Sequence, residues 1–325
     1  MLGIEKLLQK LLNRQNQDKS QRKDFEEEFD IKTKYIHGML FYNSYFDYLM
    51  KALDKDTVCL IVGGWIRDRL LNRPLGKNID IDFIITTDPL KVAKKLKNIL
   101  GKGSIFQFEK EKNVVSFIFY EGNYKYRFDF SYLDISDIMS NSNLDFYDKE
   151  REIIKRIDED LLQRDFTINA MAVVFDDAVG MGATQTVLFD PSGGLEDLQR
   201  GLLRPVSIEN IQKDPVRILR GFRIAGQLDL DIDKEFLDWV KDNRKLLDKS
   251  PKERIRDEIL KIFDNKETEK TVKTLVDYKV FQYIVPEIEE MIRIKNTDKI
   301  SSDTLLSHSL KTLSYIEDFL KKKNF

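Results

Sequence analysis

Apolar positions near the start of the chain recur at helical spacing. Within residues 1–15 they stand three or four apart, which predicts an amphipathic helix. The stretch 16–29 is charged and polar, as in a linker or a solvated helix. Residues 36–53 again carry closely spaced apolar and aromatic side chains, which predicts a buried helix. We therefore expect residues 1–56 to form a helical N-terminal extension.

The pattern changes at residue 57 to short apolar runs of the kind found in strands. The segment "TVCLIVGG" ends in two glycines, and "IDIDFII" alternates apolar residues with aspartate. The runs "NVVSFIFYEG" and "YKYRFDFSYL" meet at "EGN", which predicts a hairpin. A helix is predicted to begin with Asp88 as N-cap and Pro89 at its first position, and to end at Gly101. Residues 57–133 are thus predicted to form a mixed α/β unit with an antiparallel part.

From about residue 195 onward the apolar spacing is helical throughout. Helices are predicted over 208–227, 234–247, 251–264, 266–281 and 303–323. A head that mixes strands and helices, followed by a helical remainder, is an α+β architecture.

Composition narrows the function classes without deciding among them. The 325 residues are 42% hydrophobic and 34% charged, and the net charge of −2 gives no overall basic excess to indicate nucleic acid. Residues 199–223 form a local basic strip, with six Lys and Arg against two acidic residues. The strip suits RNA or triphosphate phosphates, although such a run is usually a solvated face.

The cysteine and histidine content excludes an intramolecular disulfide and a His-rich metal centre. The single cysteine, Cys59, excludes an intramolecular disulfide and fits a reducing, cytoplasmic location. Two histidines are too few for a His-rich metal centre. No apolar stretch reaches membrane-spanning length, so no membrane partner is expected.

A glycine pair separates the first predicted strand from the helix pattern that follows it. Gly63 and Gly64 in "VGGWIRD" would let backbone amides approach a phosphate closely, and Arg67 lies one turn further on. Glycine pairs at strand–helix turns are also common without any ligand, so the motif alone is weak.

Two aspartates stand two residues apart in the next predicted strand. Asp80 and Asp82 therefore point to the same face of the sheet, where hard oxygen ligands suit Mg²⁺. Two metal ions would need a third carboxylate from a neighbouring strand, and Asp129 in "RFDFS" supplies one. The alternatives are a half-solvated acidic strand and a salt bridge between Asp129 and Arg127.

Five segments, in order, resemble the motifs of the class II nucleotidyltransferases of the polymerase-β superfamily. These enzymes are the CCA-, CC- and A-adding tRNA nucleotidyltransferases and bacterial poly(A) polymerases. The first segment is "LIVGGWIRDRLLNRPLGKNIDIDF", and the others lie at 159–172, 188–206, 213–225 and 250–263. The resemblance implies a polymerase-β-like nucleotidyltransferase head with a mixed antiparallel sheet at 57–190. It also implies an all-α neck at 191–265 and a helical body at 266–325.

The resemblance also implies roles for individual residues. Asp80 and Asp82 would hold the catalytic Mg²⁺ ions, and Asp129 would be the third catalytic carboxylate. The glycine pair and its arginine would hold the triphosphate, and the second motif would contact ribose and phosphates; this set is Gly63, Gly64, Arg67, Arg164, Asp165 and Asn169. From the residues alone, a local ion pair is the default interpretation of Arg164 and Asp165, and Asn169 is read as a cap.

The fourth motif is where the family reads the base. Asp214 and Arg217 are three apart on a helix pattern, so they share a face and together offer acceptors and donors to a Watson–Crick edge. The resemblance places Arg220 of the same motif among the nucleotide-binding residues. The alternative is structural, since Asp214 before Pro215 suits an N-cap followed by proline at the first helical position.

The chain departs from the family pattern at four places. Lys213 stands where the family has a glutamate, which puts strict C-then-A selection in question, and Gln163 stands where an arginine is common. The segment 134–158 falls where the family has a mobile loop and lacks the arginine that often opens it. The helix pattern around His308 resembles the start of an HD phosphohydrolase domain, but no further histidine follows, so His308 is assigned no metal. The chain is thus either a fragment or carries a remnant helix.

The function expected from the resemblance is Mg²⁺-dependent addition of nucleotides to an RNA 3′ end, with release of pyrophosphate. The expected partners are tRNA, ATP and CTP. Poly(A) synthesis on general RNA is the alternative within the family. A catalytically dead RNA-binding protein, or an enzyme modifying a small acceptor or a protein, are the alternatives outside it. The sequence leaves the oligomeric state open.

Overall fold

A computed structural model describes residues 33–36, 41–107, 114–175, 186–264, 268–295 and 304–322. The chain divides into two compact units. The first, which we call the head unit, comprises Met1–Arg164 and Ile168–Leu195; the second, the helical unit, comprises Asp165–Thr167 and Glu196–Phe325. The finer four-part division expected from the sequence stays a prediction, and the amphipathic helix over 1–15 lies outside the described residues.

Among the described residues, the head unit is built on one mixed sheet of eight strands in the order β1-β8-β7-β2-β3-β6-β5-β4. All neighbouring pairs are antiparallel except β3 and β6, which are parallel. The strands are β1 (Thr33–Ile36), β2 (Cys59–Val62), β3 (Asn78–Ile85), β4 (Ser104–Gln107), β5 (Val114–Glu121), β6 (Tyr124–Tyr132), β7 (Ala172–Val174) and β8 (Thr186–Phe189). The predicted hairpin at "EGN" is confirmed, since Glu121 pairs with Tyr124 across the turn.

Helices connect these strands and make up most of the described part of the helical unit. In chain order they are α1 (Phe46–Ala52), α2 (Gly64–Leu70), α3 (Pro89–Leu100), α4 (Ser136–Ser140), α5 (Phe146–Leu161), α6 (Gly194–Gln199), α7 (Ile208–Lys213), α8 (Arg217–Leu228), α9 (Lys234–Asn243), α10 (Lys252–Phe263), α11 (Thr268–Asp277), α12 (Val280–Ile284), α13 (Glu287–Arg293) and α14 (Leu305–Lys322). None of these described helices is both long and apolar enough to cross a membrane.

The two faces of the sheet are buried differently, and this difference positions the aspartates. On one face Ile84 joins an aliphatic core with Leu60 of β2 and Ile154 of α5. On the other face Phe83 stacks on Phe130, with ring centroids 5.3 Å apart. Because strand side chains alternate between faces, residues 80, 82 and 84 share the aliphatic face. The part of this face that carries Asp80 and Asp82 is polar and less buried than the part around Ile84.

Several predicted helices are shorter than their apolar patterns. The helix expected over 36–53 begins only at Phe46, because Ile36 lies in β1 and Asn43 makes a turn whose side chain accepts a hydrogen bond from the Tyr45 amide. The segment 134–158 is mostly helical, in α4 and the start of α5. By contrast, the Asp88 cap of α3 is present, since its side chain accepts from the Leu90 amide.

The helical unit also departs from its predicted boundaries. The helix expected over 208–227 is broken into α7 and α8, because Pro215 has no amide hydrogen and Asp214 is extended at φ −139° and ψ 84°. The helix expected over 266–281 ends as α11 at Asp277, and Lys279 at φ 59° separates it from α12. The helix expected over 234–247 ends as α9 at Asn243 and continues as a 3₁₀ turn.

The all-α prediction for this unit misses one small sheet. Strands β9 (Leu202–Leu203) and β10 (Asp231–Ile232) form a short parallel pair.

Candidate active site

The glycine turn between β2 and α2 brings a carboxylate and a guanidinium together. Gly63 has φ 77° and ψ −143°, a backbone conformation that favours glycine. A Cβ atom placed on Gly63 would lie 3.1 Å from Oδ2 of Asp82 and 3.6 Å from Nη1 of Arg164. The absence of a side chain at this position therefore leaves room for both groups beside the turn.

The arginine one turn into α2 is held from two sides. Arg67 donates from Nη1 to Oδ1 of Asn169 at 2.7 Å and from Nε to Oδ1 of Asp68 at 2.9 Å. A Cβ atom on Gly64 would lie 3.3 Å from Nη2 of Arg67, so the guanidinium lies against the first turn of the helix. The structure thus joins Arg67 of the first motif to Asn169 of the second.

Arg164 and Asp165, for which a local ion pair was the alternative, each have an ion-pair partner elsewhere. Arg164 forms an ion pair with Asp160, one turn earlier in α5, at 3.1 Å. In the helical unit, Asp165 pairs with Arg220 at 2.6 Å. Arg164 is thus held at the local i,i+4 spacing, whereas Asp165 is held by a residue far from it in the sequence.

Three carboxylates occupy adjacent positions on the parallel strands β3 and β6. Asp82 lies directly opposite Asp129, and Asp80 lies directly opposite Arg127. Asp80 and Asp82 are more exposed than the apolar residues that alternate with them, as the sequence pattern predicted. Burial raises the pKa of Asp80; Arg127 opposes this shift and Asp129 adds to it.

Asp129 forms the salt bridge with Arg127 that was one alternative for it, and its role as a third catalytic carboxylate stays a prediction. It lies beside Asp82, and its Oδ1 also accepts from Nε of Arg127 at 2.9 Å. Arg127 further approaches Oγ of Ser116 in β5, at 3.3 Å. Within the described ranges, no group of three or more acidic, His or Cys side chains is close enough to hold a metal ion together.

The donor set still fits a hard divalent cation. Asp80 and Asp82 supply carboxylate oxygens on one face, and Mg²⁺ is usually held by one or two protein carboxylates together with phosphates and water. Oδ2 of Asp82 lies beside the turn at Gly63, a residue without a side chain. Asp80 and Asp82 would therefore suffice to hold one Mg²⁺ ion, without a third protein carboxylate.

Asp214 lies in the helical unit, between α7 and α8, and does not cap a helix with its side chain. The backbone of α8 begins after Val216, and no side-chain cap is present. The Asp214 carboxylate instead accepts two hydrogen bonds from Arg254 of α10, at 2.9 and 2.8 Å. Nε of Arg217 lies 3.8 Å from the same carboxylate. The capping alternative for Asp214 is therefore wrong.

The basic strip is largely neutralised within the helical unit. Each of its arginines lies at ion-pair distance from a carboxylate, in the pairs Arg200–Glu196, Arg204–Asp197, Arg217–Asp214, Arg220–Asp165 and Arg223–Glu258. Lys213, the sixth basic residue, is exposed at the end of α7. The strip therefore presents a weaker positive field than its sequence indicates.

Two family models match consecutive parts of the chain. The "Poly A polymerase head domain" matches residues 59–204, and the "Probable RNA and SrmB- binding site of polymerase A" matches residues 229–292. Together they cover more than half of the 325 residues. The chain belongs to the tRNA nucleotidyltransferase and poly(A) polymerase family. Its fold is the α+β, polymerase-β-like fold expected from the sequence.

Individual members of this family are similar over part of their length. A CC-adding tRNA nucleotidyltransferase from Synechocystis sp. is 30% identical over 57% of this chain and 36% of its own. A CCA-adding enzyme from Lactobacillus johnsonii is 31% identical over 62% of this chain and 45% of its own. A solved complex of a CCA-adding enzyme with ATP superposes with a TM-score of 0.60 at 27% identity, over 74% of this chain and 52% of that one. The chain thus spans about half or less of these relatives.

The two family models include only some of the predicted site residues. The head model includes the glycine turn, the three aspartates and the second motif, whereas Asp214 and Arg217 lie between the two matched segments. Arg254, which holds Asp214, is absent from the residues that sequence reasoning singled out. The fifth motif contains it, but its partner lies 40 residues earlier, so no local spacing indicates the pair.

Proposed function

We propose that this chain adds nucleotides to the 3′ end of tRNA without a nucleic-acid template, using ATP and CTP and releasing pyrophosphate. The observation that carries the proposal is the head-unit site of this family member. There Asp80 and Asp82 share one face beside a glycine turn, and Arg67 of that turn is bonded to Asn169. Relatives named for CC and CCA addition to tRNA favour this activity over general RNA tailing.

The reaction forms one phosphorus–oxygen bond and breaks another. The terminal 3′-hydroxyl oxygen attacks the α-phosphorus of the triphosphate and the hydroxyl proton passes to water. The bond from the α-phosphorus to the bridging oxygen breaks, and pyrophosphate leaves with its electron pair. Asp80 and Asp82 would hold Mg²⁺, which when bound supplies a Lewis acid that acidifies the hydroxyl and neutralises phosphate charge. A second Mg²⁺ would also need the carboxylate of Asp129, which lies opposite Asp82 in the sheet.

The remaining head residues would bind and orient the triphosphate. The Gly64 amide begins α2, where a helix N-terminus favours anions, whereas the Gly63 amide donates to the Met171 carbonyl at 3.4 Å. Arg67 adds a guanidinium that its hydrogen bond to Asn169 pre-orients. Arg164 approaches the same turn. These groups would align the α-phosphate for attack, which is most of what a phosphoryl-transfer enzyme contributes.

Base selection is assigned to the helical unit. Asp214 would accept from the exocyclic amine of cytosine or adenine, and Arg217 would donate to a ring nitrogen or carbonyl. Arg220, the third predicted nucleotide-binding residue of this motif, forms an ion pair with Asp165. Lys213, in place of the family glutamate, is exposed, so its effect on selection is a separate question.

The test is nucleotide addition to defined tRNA ends. Purified protein is incubated with tRNAs ending at the discriminator base, at C or at CC, with each nucleoside triphosphate and Mg²⁺, and the 3′ ends are sequenced. We expect addition of C, A or both, and none with EDTA. Long adenosine tails on an unrelated RNA would instead support a poly(A) polymerase, and no addition to any RNA would refute the proposal.

A further inference from the structure

We propose that Arg254 is a positioning residue that sets the base selectivity of Asp214 and Arg217; this inference rests on the proposed function. Arg254 lies on α10 and donates from Nη1 and Nη2 to the two carboxylate oxygens of Asp214, at 2.9 and 2.8 Å. A bidentate arginine–carboxylate pair fixes the plane of the carboxylate as well as its distance.

The backbone around Asp214 does not by itself fix this side chain. Asp214 is the residue between α7 and α8, and its φ of −139° and ψ of 84° lie outside the helical region. Pro215 follows it and donates no hydrogen bond. The Asp214 side chain is only about a quarter exposed, at 28%. Its direction is therefore set mainly by the partners of its carboxylate.

Arg217 is the second of these partners, and it lies farther from the Asp214 carboxylate than Arg254 does. Its Nε lies 3.8 Å from Oδ2 of Asp214, and its Nη1 donates to the Asn210 carbonyl at 3.2 Å. If Arg254 were removed, the Asp214 carboxylate would still be attracted to Arg217, which lies at ion-pair distance. The two base-reading groups would then satisfy each other rather than the nucleotide.

This arrangement matters for the discrimination between bases. Cytosine and adenine carry an exocyclic amine where uracil and guanine carry a carbonyl oxygen, so a correctly aimed carboxylate accepts from the first pair and repels the second. A carboxylate turned toward Arg217 would no longer accept a hydrogen bond from the exocyclic amine. Arg254 would thus act on selectivity through Asp214, without touching the nucleotide.

The experiment compares two Arg254 variants with a matched control on the same helix. Arg254→Ala removes both hydrogen bonds, and Arg254→Lys keeps the charge but not the bidentate geometry. The control is Arg256→Ala, since Arg256 is exposed and bonds its neighbour Asp257. For each protein, kcat and KM are measured with CTP, ATP, UTP and GTP on a tRNA end that the wild type extends.

We expect Arg254→Ala to lower the preference for the correct base over UTP and GTP about 10-fold in kcat/KM, within the range of one bidentate base contact. The KM for the correct triphosphate should change less than about twofold, because the phosphates are assigned to other residues. Arg254→Lys should be intermediate, and Arg256→Ala should match the wild type.

Three outcomes separate the two hypotheses. An active wild type with unchanged selectivity in both Arg254 variants would overturn the role of Arg254. A wild type that adds no nucleotide would instead overturn the proposed function. If Arg254→Ala fails to fold by circular dichroism, Arg254→Lys decides, and wild-type selectivity in that variant would again overturn the role.

Discussion

Replacement of Gly63 by alanine tests the glycine turn that supports the head-unit site. The residue has φ 77° and ψ −143°, close to a region that is essentially restricted to glycine, and holding another residue there costs about 1–3 kcal/mol. The new Cβ would lie 3.1 Å from Oδ2 of Asp82. The carboxylate would have to give by a few tenths of an ångström. We therefore expect Gly63→Ala to lower both the free energy of unfolding and the rate of nucleotide addition.

The effect on rate follows from this displacement. A misplacement of about 1 Å costs roughly 100-fold in a positioned reaction, so a smaller shift of Asp82 should lower nucleotide addition about 10-fold or more. The free energy of unfolding in urea should fall by about 1–3 kcal/mol. Single-turnover addition to tRNA, measured well below the unfolding transition, separates the two effects.

A second glycine provides the matched control for backbone strain. Gly122, in the β5–β6 hairpin, has φ 55°, and a Cβ atom there meets nothing within 4 Å. Gly122→Ala should lower stability by about 1–2 kcal/mol and leave the addition rate unchanged. If Gly63→Ala retains the wild-type rate, or if Gly122→Ala loses as much activity, the argument from the space beside Asp82 is wrong.

Three further predictions concern selectivity, RNA binding and acid stability. Arg217→Ala should reduce discrimination among the four nucleotides by roughly 5- to 150-fold in kcat/KM, and an unchanged order of preference would place base selection elsewhere. The Kd for tRNA should weaken between roughly 50 and 200 mM salt in a filter-binding assay, whereas a salt-independent Kd would contradict phosphate contacts. Burial alone would raise the pKa of Glu258, but its hydrogen bond to Arg223, aided by Lys261, lowers it overall. This stabilisation is therefore present above the ordinary value of 4.5 and lost as pH falls below it. Glu258→Gln should be less stable than wild type at pH 7, by a margin that shrinks at acid pH in urea titrations. A constant margin would refute the pairing.

The parts of the site that were predictable from the sequence are those that depend on local periodicity. The alternation in β3 fixes which face carries Asp80 and Asp82, because strand side chains alternate strictly. The caps of α3 follow from Asp88 and Gly101, whose side-chain oxygen and φ of 66° meet local needs at the helix ends.

The parts that were not predictable depend on contacts between distant segments. The bond from Arg67 to Asn169 spans 102 residues, and the bonds from Arg254 to Asp214 span 40. Local spacing instead favoured a cap at Asp214 and an unbroken helix across it. Charge counting likewise could not show that the arginines of the basic strip are paired, since Asp165, the partner of Arg220, lies outside the strip.

The most direct test of the central claim is single-turnover nucleotide addition to tRNA by Asp80→Ala and Asp82→Ala at saturating Mg²⁺. Loss of a metal ligand should lower the rate on the order of 1,000-fold while circular dichroism and the unfolding transition stay close to wild type. Asp88→Ala is the control, since Asp88 is exposed and caps α3, and it should retain the wild-type rate. A folded Asp80→Ala or Asp82→Ala protein with a rate near wild type would contradict the assignment of this site.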